Sequence, residues 1–108
     1  MRRGEYESAQ DDYTKAARLQ PDLGAIYLNQ GAAMIGAGHP EDAITALQKA
    51  LDLDTQDPHL AHYNLGIAYE LTDDLTLAYN AFKTSISLAP DWQAPHEQLE
   101  RYSIVPAG

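Results

Sequence analysis

Four histidines, His39, His59, His62 and His96, are the side chains best suited to hold a metal or to move a proton near neutral pH. The spacing His59-x-x-His62 sets two imidazoles on one face of a helix, and Glu70 or Asp73 stands close enough in sequence to add a carboxylate to a zinc site. Thiolate ligation is excluded because the chain has no cysteine, and the same fact excludes a disulfide scaffold and a cysteine nucleophile. A second constellation, Asp52-x-Asp54-x-x-Asp57, has the beginning of a calcium loop. That loop needs an acid or amide at its fifth position, glycine at the sixth and a distal glutamate, whereas this chain runs Gln56, Asp57, Pro58, His59. An acidic turn that caps the next helix accounts for the same residues. No glycine-rich phosphate loop, Gly-x-Ser-x-Gly elbow or His-Glu-x-x-His motif occurs, and Ser85 and Ser87 have no base near them in sequence. These residues point away from an enzyme.

The elements that must position such side chains are marked out by glycine and proline. Gly4, Pro21, Gly24, Gly38-His39-Pro40, Asp57-Pro58, Thr72-Asp73-Asp74 and Pro90-Asp91 divide the chain into helical segments at 5–18, 24–37, 40–53, 58–71, 75–88 and 92–103. In the third, Ala43, Ile44, Leu47, Ala50 and Leu51 recur at threes and fours, the apolar stripe of an amphipathic helix. Pro58 suits a first helical position, with Asp57 before it as a carboxylate N-cap, and Gly38 suits the left-handed residue that closes a helix. Alternation over strand length appears nowhere, so the expected fold class is all-α.

A shift of 35 residues places Gly24 through Pro58 on His59 through Gln93. Asn29 then meets Asn64, Gly31 meets Gly66, Ala33 meets Ala68, Ala43 meets Ala78, Ala46 meets Ala81 and Leu53 meets Leu88, all identical. Leu47 with Phe82, Ala50 with Ser85 and Leu51 with Ile86 are similar pairs in the same register. Small residues recur where two helices must approach closely, and large ones recur where the space between hairpins must be filled.

His62-x2-Leu65-Gly66-x2-Tyr69, then Ala78-x3-Phe82, then Pro90 resembles the tetratricopeptide repeat, with His62 in place of the first tryptophan. The preceding copy fits at Tyr27, Gly31, Met34, Ala43 and Leu47, and departs at Gln30 and Thr55 from the leucine and proline. Ala9-x3-Tyr13 with Ala16 and Pro21 is similar to the second half of a further repeat. The resemblance implies an α-α superhelix of antiparallel hairpins, a solenoid of about two and a half repeats. One domain, 1–108, then comprises a half repeat at 1–23, full repeats at 24–58 and 59–92, and a capping helix with its tail at 93–108. The half repeat lacks its first helix, which would uncover a face around Tyr6, Ala9 and Tyr13. An apolar face of that kind marks either a piece of a longer repeat protein or an assembly surface, a homodimer included.

The resemblance also implies a concave groove lined by the first helix of each hairpin. Its projecting positions fall on Ala25, Leu28, Asn29, Ala32, Ile35 and Gly36, and on Leu60, Tyr63, Asn64, Ile67, Glu70 and Leu71. An asparagine repeats on each helix, and an amide offers the donor and the acceptor that grip a peptide backbone. Leu28, Tyr63 and Ile67 would then meet apolar side chains of an extended or helical segment. Members of the family that clamp a terminal carboxylate use cations on these helices. Here the matching positions are Leu28, Ala32, Ala94 and Gln98, which argues against such a clamp. Within the same register Tyr27, His62 and His96 share the tryptophan position, so His62 and His96 read as packing residues and no metal or other cofactor is expected.

With 108 residues the chain has room for one domain, and 44% apolar against 21% charged residues is an ordinary globular balance. Its net charge is -9 and its first 20 residues sum to zero, so the acidic excess lies entirely beyond them. Partners are expected to be proteins or peptides of apolar or basic character, not nucleic acid, with no insertion into a membrane. No targeting segment is evident in the given chain, and the sequence leaves the setting open, cytoplasmic or periplasmic.

Overall fold

A computed structural model describes residues 23–102, which form five helices and no strand. They are α1 (Leu23–Gly36), α2 (Pro40–Asp52), α3 (Pro58–Leu71), α4 (Leu75–Leu88) and α5 (Gln93–Glu100). The expected all-α class and five of the six helices are present, while the helix expected over 5–18 lies outside the described residues. α3 and α4 keep the expected bounds, α1 is shifted by one residue at both ends, and α2 stops one residue early. α5 is shorter than expected, beginning after Trp92 and ending at Glu100. Its last turn tightens, with Arg101 N donating to the Gln98 carbonyl and Tyr102 N to that of Leu99.

Three of the helices stop in the same way. The amides of His39, Thr55 and Asp74 reach back to the carbonyls of Met34, Ala50 and Tyr69, with a left-handed residue just before each donor. Gly38 is that residue after α1, as its type suggests, while Asp54 (φ 56°) and Asp73 (φ 64°) serve after α2 and α3. A short polar side chain tolerates this region better than a branched one. Pro40 and Pro58 open α2 and α3. Asp57 does hold the N-cap position, but its side chain makes no capping bond; its carbonyl accepts from Leu60 and Ala61 instead. The carboxylate that does cap is Asp74, whose Oδ1 accepts from Leu77 N at 3.4 Å.

α1 pairs with α2, and α3 with α4, as two helical hairpins. The glycines explain how closely each pair lies. A Cβ on Gly31 would stand 2.6 Å from Leu47 Cδ2, and one on Gly66 would stand 2.5 Å from Phe82 Cε1. Leu47 and Phe82 are both fully buried, so the repeated glycine and the repeated large residue are the two sides of one contact. Burying each of these side chains contributes about 1.5–3 kcal/mol. Leu28, Ala43, Leu47, Ala50, Ala61, Leu65, Ala68 and Ala81 form a core continuous across both hairpins. Helix α3 is central to it, lying against α1, α2 and α4, and also tied to α5 where Gln98 Nε2 donates to Tyr63 Oη.

Thr55, which stands where the repeat pattern carries proline, is buried in the link between hairpins. Its hydroxyl accepts from Asp57 N at 3.3 Å. A Cβ on Gly24 would lie 2.9 Å from Thr55 Cα, so the start of α1 packs directly on this link. Ser85, in place of a repeated alanine, is fully buried, and its Oγ donates to the His59 carbonyl at 2.8 Å.

Candidate functional site

The candidate groove draws on α1 and α3, which lie side by side in contact. Asn29 is exposed, Asn64 is half-buried, and within the described residues neither side-chain amide has a hydrogen-bond partner. Ala32 and Ile67 stand three residues beyond each asparagine and are half-buried, and Leu71 is 58% exposed at the end of α3. Ala25 is half-buried and Gly36 is exposed. Ile35 and Leu60 are half-buried against the core, offering only part of their surface.

Three of the expected groove residues are engaged elsewhere. Leu28 is only 5% exposed and belongs to the core, so it has almost no surface to offer a ligand. Position 28 plus 35 is Tyr63, and there too the side chain serves packing: its ring lies 4.8 Å from that of Trp92 and 5.8 Å from that of Phe82. In both repeats this position serves the packing between helices. Glu70 is spent on the end of α5. Its Oε2 accepts from Arg101 at 2.6 Å and from the Tyr102 hydroxyl at 2.8 Å. Burial, and then the Glu70 hydrogen bond and charge, push the Tyr102 phenol up to about 12. The same carboxylate raises the Arg101 guanidinium. The side chain of Gln98 completes the group by accepting from Arg101.

The histidines do not converge. His59 is edge-on to Trp92 at 5.4 Å, and His96 Nε2 donates to the Pro90 carbonyl at 2.9 Å. His62 is half-buried, and burial holds its pKa below the usual imidazole value. Among the described residues no three histidine, aspartate or glutamate side chains come together as a metal site, and no helix is long and apolar enough to cross a membrane.

Two features were not anticipated. Arg101 and Tyr102 fasten to Glu70 across 31 and 32 residues, a pairing that no local spacing reveals. The other is a cleft of about 540 Å³ on the first hairpin, with Tyr27, Gln30 and Met34 on one wall and Asp42, Thr45, Ala46, Gln48, Lys49 and Asp52 on the other. Gln30 carried a signal for it, being polar where the second repeat has Leu65. Tyr6, Ala9 and Tyr13, the expected assembly face, lie outside the described residues.

Comparison with known proteins agrees with this architecture. The family model for the tetratricopeptide repeat matches residues 28–95, which is more than half of the chain. The chain is also similar to the small glutamine-rich tetratricopeptide repeat-containing protein 2 of Mycosarcoma maydis, at 33% identity over 51 residues. That match covers 47% of this chain and spans only 14% of the relative's length.

Proposed function

Because this chain belongs to the tetratricopeptide repeat family, whose repeats generally mediate protein–protein interaction without catalysis, we propose that it holds a segment of a partner protein along the α1–α3 wall. The observation that carries this reading is the pair Asn29 and Asn64. They occupy equivalent repeat positions on adjacent helices, and their amides are unspent within the described residues. A side-chain amide both donates and accepts, as a peptide backbone does, so two of them in register can hold a backbone without reading its side chains. Ala32, Ile67 and Leu71 supply the apolar surface beside them. The buried and internally bonded side chains of Leu28, Tyr63 and Glu70 shape this wall from behind and at its end.

The segment that fits is apolar, and neutral or basic in charge. A net charge of -9 repels an acidic ligand, and Arg101, at the end of α5, is already paired with Glu70. A terminal carboxylate would find no free guanidinium there to replace its water.

Selection of binding peptides from a random library against the full chain tests the proposal. Selected sequences are expected to be apolar with neutral or basic flanks. Losing two net hydrogen bonds of about 0.5–1.5 kcal/mol each weakens affinity by roughly five- to a hundredfold in the Asn29→Ala/Asn64→Ala variant. Its melting temperature should stay unchanged. Peptides that bind this variant as tightly as the parent would end the groove reading.

A further inference from the structure

Lys49, Lys83 and Arg101 are the only lysine or arginine residues after position 20, and two of the three meet on one surface. That surface lies where the end of α3, α4 and the turn after α5 come together. Arg101 donates to Glu70 Oε2 at 2.6 Å and to the side chain of Gln98, while Lys83 Nζ stands 5.5 Å from the centre of the Tyr79 ring. The Tyr79 and Tyr102 rings are 5.8 Å apart, and the Tyr102 hydroxyl donates to the same Glu70 oxygen at 2.8 Å. Beside them runs a cleft of about 370 Å³ between Leu75, Thr76, Tyr79 and Tyr102. A second, of about 200 Å³, reaches from Leu75 and Tyr102 to Glu70 and Arg101. Leu75 is 53% exposed and Tyr79 39%, so the two clefts make an open apolar trough with a carboxylate at one end.

We propose that this trough takes an arginine of the partner segment together with a neighbouring apolar side chain, the arginine displacing Arg101 from Glu70. The inference rests on the apolar, basic partner proposed above and adds where its cation goes. The molecule already builds a guanidinium site here, since Glu70 and Gln98 hold one. Arg101 is free to leave, because its side chain is 58% exposed and an exposed ion pair contributes little. Glu70 is 19% exposed and stays in place, bonded to the Tyr102 hydroxyl. Tyr79 and Tyr102 offer ring surface along which an arginine stem and its planar head can lie, and Leu75 meets the apolar neighbour. Charge permits the exchange. Residues 70–102 carry Glu70, Asp73, Asp74, Asp91, Glu97 and Glu100 against Lys83 and Arg101, so a further cation is drawn to this region. Lysine serves less well, because the planar fork of a guanidinium can bond the Glu70 carboxylate and the Gln98 side chain together.

Acetyl-leucyl-arginine amide is the probe, and acetyl-leucyl-citrulline amide, of the same shape without the charge, is the control. Both are titrated into the full chain and followed by the nuclear magnetic resonance shifts of the Glu70, Gln98 and Tyr102 amides. The arginine probe is expected to bind about tenfold or more tighter than the control. Arg101→Ala removes the competitor and should tighten it about two- to fivefold further. Glu70→Gln in that background should bring it down to the control. Arg101→Met repeats the measurement should the alanine variant let α5 come away, which Trp92 fluorescence would report. Equal binding of the two probes, or no gain in either Arg101 variant, would overturn the proposal. So would a dimer in light scattering that Tyr79→Glu dissociates, since a second copy would then fill the trough. Asn29→Ala/Asn64→Ala is expected to leave probe binding unchanged, so this site and the groove fail separately; loss of the probe in that variant would place it in the groove and end the proposal.

Discussion

Gly66 lies so close beneath Phe82 that a Cβ added to it would stand 2.5 Å from ring atom Cε1, 2.7 Å from Cδ1 and 2.7 Å from Cζ. Phe82 is fully buried and its ring is held between neighbours, with Tyr63 at 5.8 Å and Tyr102 at 6.3 Å. The ring therefore cannot retreat without disturbing both hairpin and cap. Gly66→Ala is expected to destabilise the protein by about 1–3 kcal/mol, overriding the roughly 1 kcal/mol by which alanine favours a helix over glycine. Gly31→Ala meets the more pliant Leu47 and should cost less. Urea midpoints of the two variants against the parent check both the sign and the order.

Ser85→Ala removes a buried hydroxyl that donates to the His59 carbonyl. The change leaves that acceptor without its side-chain partner and opens little space, so a loss of about 1 kcal/mol is expected. Ser85→Val, which adds volume at a fully buried site, should cost more. Should the alanine variant prove as stable as the parent, the bond to His59 contributes nothing net.

His62 makes stability fall on mild acidification. Burial lowers its folded pKa, so below about pH 6.5 the unfolded chain takes up a proton that the folded chain resists. Unfolding free energy should therefore decline as pH drops through that region and level off once the folded histidine is also protonated. His62→Gln is expected to flatten this part of the pH profile measured by thermal unfolding, whereas His39→Gln, at an exposed position, should leave it in place.

Tyr102 should titrate well above the ordinary phenol range. With its phenol raised to about 12, folding keeps a proton that the unfolded chain loses near pH 10, so this contribution is complete below that value and disappears between about 10 and 12. Burial is the largest cause and Glu70 the next, so Glu70→Gln should bring the midpoint part of the way back. Ultraviolet absorbance of tyrosinate, with Tyr102→Phe as the reference, reads the shift. An unchanged midpoint in Glu70→Gln would assign it to burial alone. The Arg101 side chain is 58% exposed, and Arg101→Ala is expected to cost no more than about 1 kcal/mol.

The hairpins were legible in the sequence because their determinants are local and repeated. A glycine opposite a large residue, an alanine stripe at helical spacing and a proline at a first turn each mark a contact within some 20 residues. Asp54 and Asp73 escaped notice as left-handed residues because aspartate adopts that region only where the rest of a helix end demands it. The site was less legible. Position five of the repeat looked outward by pattern, but Leu28 belongs to the core and Tyr63 packs on Phe82 and Trp92, and whether a residue faces a groove or a neighbour is decided by packing between helices. Glu70 likewise gave no sign of its partners, since Arg101 and Tyr102 come from the far end of the chain.

The central place of α3 sets an order in which the fold can come apart. Every other described helix touches it, so its amides can reach solvent only when the whole core opens, and they should exchange hydrogen at the rate set by global unfolding. α5 is shorter and packs at the end of the described residues, on α4 through buried Pro95 and on α3 through Tyr63 and the Glu70 group, so it is expected to detach while the hairpins stay closed. Such partial openings would loosen one end of the wall without dissolving it, so an incoming segment meets a surface that is firm in its middle and yielding at its edge.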